Sequence, residues 1–282
     1  MAMNKRVRRR LILLSTLLVV VSLGLVAGFL YARWNREQQV ITAAEEGMAA
    51  YEAGDYLTAL LKLSKAVSTR KDDLELTLAL GHSRLRNTDP NGRHVRASEK
   101  FFLHALKIDD DNEEALRELV DIYLATGATA NVLTYSERLP SDDIGIIKKR
   151  ASSLRAAGRY TEALEEAARI RALAPEDASW PLYELTLCEE RGDGISDRIR
   201  MMLEFKESHP GNQGVSLGLI SLYRMNRQRG EAEETAKSLV ESGPIDDFIL
   251  MLLLRQLEGM NLVPESMIVS EAVGKAAMRN PE

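Results

Sequence analysis

The sequence predicts an all-α protein: a right-handed solenoid of about six to seven helix pairs that follows one N-terminal transmembrane helix. The first observation behind this prediction is a repeated motif, because Gly54-Asp55-Tyr56-x-x-Ala59-Leu60 returns at residues 158–164 as GRYTEAL. Similar helix–turn–helix units recur about every 34 residues, which is typical of stacked helix pairs. The second is composition: the apolar residues are mostly Ala and Leu, and aromatic residues make up only 5% of the chain. The third is an uncharged stretch over residues 11–31.

Residues 11–31 are predicted to form a membrane anchor. At about 1.5 Å per residue, this uncharged stretch matches the hydrocarbon core of a bilayer, which is about 30 Å thick. Tyr31 and Trp34 stand where interfacial aromatic residues are enriched. The alternative is a cleaved signal peptide, whose apolar region is shorter and ends in small residues. The residues around Ala27 and Ala32 match such a cleavage site poorly.

The charge distribution predicts the orientation of the chain. Residues 1–36 contain seven of the 37 basic residues and no acidic residue, and five of the seven lie in residues 1–10. The positive-inside rule places residues 1–10 in the cytoplasm and the rest outside it, in the periplasm if the organism is bacterial. Residues 37–282 hold 30 basic and 42 acidic residues, a net charge of −12. A domain this acidic repels a phosphate backbone, so nucleic acid is not expected as a ligand.

Two further sequence features lie in or next to the predicted anchor: a glycine pair and a short polar segment. Gly24 and Gly28 form a GxxxG pair, which allows two membrane helices to approach and makes a homo-oligomer conceivable; the alternative is that both glycines simply face lipid. Residues 32–39 are interpreted as a polar linker. Because no Pro or Gly interrupts them, the helix is free to continue into the first repeat.

The predicted solenoid occupies residues 40–282. Close helix crossings require small residues, such as Gly47 and Ala59 in the first unit. The units are expected at about residues 40–73, 74–112, 113–143, 144–177, 178–212, 213–246 and, in a degenerate form, 247–282. The last predicted helix, residues 265–278, is rich in apolar residues and lacks the polar face that closes the end of a solenoid.

This pattern resembles the tetratricopeptide repeat (TPR) family. The family favours small residues at positions 8, 20 and 27 of each unit and proline at position 32, and the fourth unit follows it most clearly, with Ala151, Gly158, Ala163 and Pro175. The third and fifth units depart from the pattern. The resemblance covers residues 40–282. It implies a protein-binding function in which the first helix of each pair lines a concave groove.

The resemblance also implies which residues face that groove. The residues at groove-facing positions are His82, Arg86, Arg117, Asp121, Lys148, Ser152, Arg155, Thr186 and Arg224. This surface would be locally basic in an acidic domain, and arginine and lysine on a rigid wall favour carboxylates. The predicted ligand is therefore a protein or peptide with acidic segments. The alternative is a solvated face without a ligand. The carboxylate clamp of chaperone-binding TPR proteins is not expected, because the first unit has Ala44 and Met48 at the key positions.

The sequence contains one catalytic motif and some metal-binding residue types, but the neighbouring residues that catalysis or metal binding requires are missing. Residues 214–218 read G-x-S-x-G, but a hydrolase elbow requires a preceding strand and a later histidine, and no histidine follows Ser216. The four histidines lack ligand spacing, and a single cysteine, Cys188, cannot build a zinc site. Cys188 is expected to be a small core residue. We therefore expect no cofactor, no metal and no enzymatic activity.

The preferred interpretation is a membrane-anchored scaffold or assembly factor. One alternative is a chaperone-like holder of exported or envelope proteins, which would bind clients through apolar residues such as Met48, Tyr51, Leu78 and Leu182. In that case binding would depend little on salt. Another alternative is that the chain is the regulatory front part of a longer enzyme.

Overall fold

Helices account for all regular secondary structure in the described residues. The computed structural model describes the backbone of residues 5–260, 262 and 265–272, and the side chains of these residues from 22 onward except residue 24. Over this range the predicted all-α class is confirmed, and residues 265–272 form a short final helical segment. The helices before it are α1 (Lys5–Glu52), α2 (Tyr56–Thr69), α3 (Leu74–Arg86), α4 (Arg93–Ile108), α5 (Glu113–Ala125), α6 (Thr129–Ser136), α7 (Ile144–Ala156), α8 (Tyr160–Leu173), α9 (Ser179–Arg191), α10 (Ile195–Ser208), α11 (Gln213–Met225), α12 (Arg229–Glu241) and α13 (Asp247–Met260).

The chain divides into two compact units, residues 1–122 and 123–282, with the division inside α5. In both units a helix pairs with the next one along the chain, as in α1 with α2, α3 with α4, α7 with α8, and α11 with α12. The second helix of a pair also packs against the first helix of the following pair, as α2 does with α3 and α8 with α9. This alternation is the TPR-like arrangement of helix pairs.

Side-chain caps explain where several helices begin. Asp55, Asp73 and Asp143 precede α2, α3 and α7, and the carboxylate of each accepts a hydrogen bond from a backbone N–H in the first turn, at 3.1 Å. Asn212 caps α11 in the same way, with acceptor distances of 3.0 and 3.3 Å. Such caps satisfy donors that have no partner inside the helix.

The turn inside most helix pairs has one repeated geometry. After α7, Gly158 N–H donates to the Arg155 carbonyl at 2.9 Å, and Arg159 N–H donates to the Leu154 carbonyl at 2.9 Å. These are the two bonds of a Schellman motif, which requires a left-handed residue between helix and turn. Gly158 supplies it with a φ of 72°. The same pair of bonds follows α1, α5, α9 and α11.

Unit 1 is packed around small residues at helix crossings. Ala59 and Ala66 of α2 are fully buried, and Leu63 lies between them on the same face. A Cβ on Gly47 of α1 would lie 2.8 Å from Cδ2 of Leu63, so only glycine allows this approach. This agrees with the expectation that Gly47 and Ala59 mark a crossing. Val40 is the first buried side chain among those described for α1, whereas residues 32–39, interpreted above as a linker, are helical and exposed.

Unit 2 has a larger core between α7 and α13. Trp180 of α9 is buried, packs edge-on against Phe205 of α10 with ring centroids 5.0 Å apart, and donates from Nε1 to the Pro175 carbonyl at 3.0 Å. Helix α11 contacts α9, α10, α12 and α13. A Cβ on Gly218 of α11 would lie 2.7 Å from Cε of Met202, so this helix depends on a missing side chain to pack closely.

Between residues 23 and 30, the described side chains of α1 expose apolar surface. Leu23, Leu25, Val26, Phe29 and Leu30 each expose more than half of their surface. No helix within the described residues is both long enough and apolar enough to cross a membrane. Most of the predicted anchor, residues 11–31, lies outside the described side chains.

The C-terminal end of unit 2 also exposes apolar side chains. On α13, Phe248, Met251 and Leu252 are exposed, while Ile249, Leu253 and Leu257 are buried. Met267 and Ile268 in the final helical segment are exposed as well. Residues 273–278, the end of the last predicted helix, lie outside the described residues.

Candidate functional site

One pocket of unit 2 lies between α7, α8 and α9. Its volume is about 260 Å³, and apolar side chains form much of its wall. The residues around it are Lys148, Ser152, Ala167, Ile170, Ser179, Trp180 and Tyr183. Burial raises the pKa of the Tyr183 phenol, whose buried hydroxyl lies on the Ser152 side of the pocket. The pocket therefore combines an apolar floor with a polar edge.

A second, more open depression adjoins this pocket. Its volume is about 510 Å³, and it is lined by Ser152, Arg155, Ala156, Tyr160 and Glu190. Ser152 belongs to both depressions, so they form one continuous surface on α7 and α9, which we call the α7–α9 groove.

An ion pair lies at each end of the α7–α9 groove. Lys148 Nζ lies 3.3 Å from Asp177 Oδ2, and Arg155 donates from Nε and Nη2 to the two carboxylate oxygens of Glu190 at 2.7 and 2.5 Å. Burial disfavours ionisation of Asp177, but hydrogen bonds from Ser179 and the Lys148 ammonium outweigh it, so the pKa of Asp177 is lowered. The hydrogen bond from Arg155 likewise lowers the pKa of Glu190.

These pairs change the predicted electrostatics of the groove. Lys148 and Arg155 were expected to make it locally basic, yet each already contacts a carboxylate. At these two positions the surface carries charges of both signs, and the basic character predicted from their positions alone is not observed. Lys148 keeps half of its side chain exposed and uses one of three ammonium donors on Asp177. The Lys148 ammonium can therefore donate a hydrogen bond to a second carboxylate.

The four predicted residues of unit 1 are differently placed. His82 is buried: its ring stacks on Tyr51 and meets Phe102 edge-on, with centroids 6.2 and 5.2 Å away. Its Nε2 lies 2.7 Å from Glu114 Oε1. His82 is thus part of the packing between α1, α3, α4 and α5.

The remaining residues of that set in unit 1 lie near helix surfaces. Arg86 is exposed at the end of α3, and Asp121 is exposed on α5. Arg117 donates to Glu113 Oε1 at 2.9 and 2.6 Å, one helical turn away.

Thr186 and Arg224, the last two predicted residues of unit 2, are bound to neighbouring groups. The Thr186 hydroxyl donates to the Leu182 carbonyl of its own helix at 2.9 Å, so it is engaged with the backbone. Arg224 donates from Nη1 to Gln256 Oε1 of α13 and lines a third pocket together with Arg227 and Arg229.

Arg227 and Arg229 were missed by the sequence analysis. A signal was present, since Arg227 takes the turn position that glycine holds after α1, α5, α7 and α9.

The apolar residues of the holder alternative do not form an exposed patch. Leu78 is buried, Met48 and Tyr51 are partly buried against the core of unit 1, and Leu182 is partly buried against the core of unit 2. To bind a client, these residues would first have to become exposed through local unfolding of the unit to which each belongs.

The predicted helix-pairing glycines remain untested. Gly24 lies outside the described side chains. Gly28 lies in α1, and a Cβ placed on it would meet nothing within 4 Å.

The motifs weighed for chemistry have structural explanations. Residues 214–218 start α11, and a Cβ on Gly214 would lie 1.9 Å from the Ala178 carbonyl oxygen, so this glycine serves packing. Cys188 is buried as expected, and burial raises its pKa to about 11. Within the part of the chain that the structure describes, no three His, Cys, Asp or Glu side chains cluster closely enough to hold a metal ion.

Comparisons with known proteins find helical repeat proteins of solved structure. A tetratricopeptide repeat protein from Parabacteroides merdae ATCC 43184 is 15% identical, with 84% of this chain and 98% of that chain aligned and a TM-score of 0.49. MamA is 14% identical over 61% of this chain and 93% of that chain, with a TM-score of 0.49. A second MamA structure, MamA AMB-1, gives 17% identity, 62% and 94% coverage, and a TM-score of 0.48. No protein-family model and no curated protein matches the chain.

Proposed function

We propose that this protein is a membrane-anchored scaffold that holds a segment of a partner protein in the α7–α9 groove. The observation that supports the proposal is the continuous surface formed by two adjoining depressions of about 260 and 510 Å³. The smaller one is below the usual range for a small-molecule site, about 300–1,000 Å³, and suits one apolar side chain. The larger depression is open enough for the backbone of the partner segment that carries this side chain.

The groove also suggests the chemistry of the bound segment. Trp180 and Ile170 provide an apolar floor, so the segment inserts an apolar residue there. The half-exposed Lys148 ammonium lies at the edge of the same pocket and has unused donors. An acidic residue next to the apolar one would therefore be stabilised by a charge-assisted hydrogen bond. This keeps the acidic ligand expected from the sequence but assigns its contact to Lys148, because Arg155 is already bidentate to Glu190.

The binding proposal is tested by affinity capture of the full chain from solubilised membranes. Lys148→Glu should abolish capture of a defined set of proteins, because it places a second carboxylate beside Asp177. Ser152→Phe should do the same by filling the pocket without changing charge. The control is Arg159→Glu, which reverses a charge of comparable exposure in the turn after α7, outside both depressions. Equal capture by all four proteins would refute binding in the groove.

Salt dependence separates the scaffold from the chaperone-like holder. A contact through Lys148 should weaken as salt rises from about 50 to 500 mM, because screening acts on exposed charges. Binding to a holder through apolar surface would be insensitive to salt and would recover many unrelated proteins.

The membrane anchor is part of the same proposal. The exposed side chains of Leu25, Phe29 and Leu30 support it, because an apolar helix without partners is unfavourable in water. Tyr31 and Trp34 follow directly, with ring centroids 6.1 Å apart, as interfacial aromatic residues would. The seven basic residues before residue 37 favour a cytoplasmic N-terminus and extracytoplasmic repeats.

The anchor and its orientation need separate measurements. Alkaline carbonate should leave the full chain in the membrane pellet and should release a variant that lacks residues 5–31. A C-terminal alkaline phosphatase fusion should be active if the repeats are outside the cytoplasm, whereas a C-terminal green fluorescent protein fusion should be dark after export in unfolded form. Carbonate release of the full chain would contradict the anchor, and the opposite reporter pattern would contradict the orientation.

A further inference from the structure

Three arginines surround a small pocket at the C-terminal side of unit 2. The pocket has a volume of about 180 Å³ and is lined by Arg224, Arg227, Arg229, Gly259 and Met260. It lies where the turn between α11 and α12 meets the end of α13, away from the α7–α9 groove. We call it the arginine pocket.

The arginines of this pocket have few anionic partners. Arg224 donates to the neutral Gln256 amide oxygen. Arg229 donates to Glu233 Oε1 at 2.6 Å and to the Met260 carbonyl at 3.4 Å. For the Arg227 side chain, no hydrogen bond or ion pair is found with any residue of the described chain. Among the described residues, one carboxylate, that of Glu233, is therefore paired with the three guanidinium groups.

Arg227 also holds a backbone conformation that disfavours it. Its φ is 61°, which makes it the one residue other than glycine with a positive φ among the described residues. The Schellman bonds after α11 match those after α7, with Arg227 in the place of Gly158. An L-residue at this position is strained, and such strain points to a role for the side chain.

The end of α13 leaves room for the cluster. A Cβ on Gly259 would lie 2.5 Å from Nη2 of Arg224, so the guanidinium lies directly against this glycine. Arg224 thereby contacts α13 and lines the pocket together with Arg227.

We propose that the arginine pocket binds carboxylates of an acidic segment in a partner protein. Two guanidinium groups that have no anionic partner in the described part of the chain attract an anion, and their planar donors match a carboxylate in bidentate geometry. The pocket is small, and Arg227 and Arg229 are exposed at the surface, so it fits an acidic side chain whose main chain remains outside. The inference stands on these residues and does not depend on the α7–α9 groove.

Arg227→Gly provides a test in which misfolding is not a concern. It removes one guanidinium and restores the residue that the equivalent turns carry. The probe is fluorescein-labelled hexaglutamate, with hexaglutamine as the uncharged comparison, and the readout is fluorescence anisotropy with the full chain in a non-ionic detergent. We expect hexaglutamate to bind saturably and Arg227→Gly to weaken it about tenfold, as loss of one charge-assisted contact does. Arg200→Gln, which removes an exposed guanidinium paired with Asp197 on α10, should leave binding unchanged.

Three results would overturn this inference. The first is equal affinity of the original chain and Arg227→Gly for hexaglutamate, and the second is equal affinity for hexaglutamate and hexaglutamine. The third is binding of inorganic phosphate to a chain that ignores hexaglutamate, which would assign a phosphate site instead. Because this assay depends on Arg227 and not on Lys148, its failure leaves the proposal for the α7–α9 groove standing.

Discussion

Arg155 and Glu190 join α7 to α9 through two parallel hydrogen bonds, from Nε to Oε2 at 2.7 Å and from Nη2 to Oε1 at 2.5 Å. The two residues are 35 positions apart, about one repeat, so the pair links the first helices of successive helix pairs. It also forms one wall of the larger depression of the α7–α9 groove. The pair therefore connects the two helices that carry the proposed binding surface.

Removing this link should loosen the groove with a small loss of stability. Arg155→Gln should lower the free energy of unfolding by about 0.5–1 kcal/mol, since partly exposed pairs contribute little, and Glu190→Gln should change it in the same direction. A double-mutant cycle with both substitutions, measured by urea unfolding and circular dichroism, should give a coupling energy of similar size. The matched control is Arg159 with Glu162, a pair within a single turn that should show less coupling. Absence of coupling between Arg155 and Glu190 would mean that the pair does not hold the helices.

Exchanging residues at the equivalent turn positions should have opposite effects. Gly158→Ala should destabilise the protein by about 1 kcal/mol, because alanine is strained at a φ of 72°. Arg227→Gly should stabilise it by about 1 kcal/mol for the same reason. Thermal unfolding followed by circular dichroism measures both changes. If Arg227→Gly lowers the midpoint, contacts of the arginine outweigh its backbone strain.

The glycines and alanines of the helix crossings could be predicted from the sequence because each acts through its own size. Gly47, Ala59 and Gly158 occupy positions where any larger residue would clash or strain the turn. Their recurrence at one period is therefore visible without coordinates.

The charges of the candidate site could not be predicted in this way. Lys148 and Asp177 are 29 residues apart, and Arg155 and Glu190 are 35 apart, so their pairing depends on how successive helices are aligned. His82 was placed in the groove by its position in the repeat, but it is covered by Tyr51 and Phe102. The position of a residue in the repeat predicts on which face of its helix the side chain lies. The partner that this side chain contacts depends on how the neighbouring helices pack.

The two glycines of α11 should differ in how much they tolerate a methyl group. In Gly214→Ala the new Cβ would lie 1.9 Å from the Ala178 carbonyl oxygen, which belongs to the backbone. In Gly218→Ala it would lie 2.7 Å from Cε of Met202, the flexible end of a side chain. We expect losses of about 3 kcal/mol or more for the first and about 1–2 kcal/mol for the second. Urea unfolding ranks them, and a reversed order would show that the backbone yields more easily than Met202.

Glu184 should make the stability of the protein depend on pH near neutrality. Its carboxyl is buried, which raises its pKa to about 7, while Arg171, 3.0 Å away, favours the charged form. Because the pKa is higher in the folded state, folding takes up a proton between pH 4.5 and 7, and stability falls as pH rises through this interval. Between pH 5 and pH 8, Glu184→Gln should therefore gain about 1–3 kcal/mol relative to the original chain in urea unfolding. Glu162→Gln, which removes an exposed carboxyl of lowered pKa, should show no such gain, and equal pH profiles for all three proteins would mean that Glu184 ionises normally.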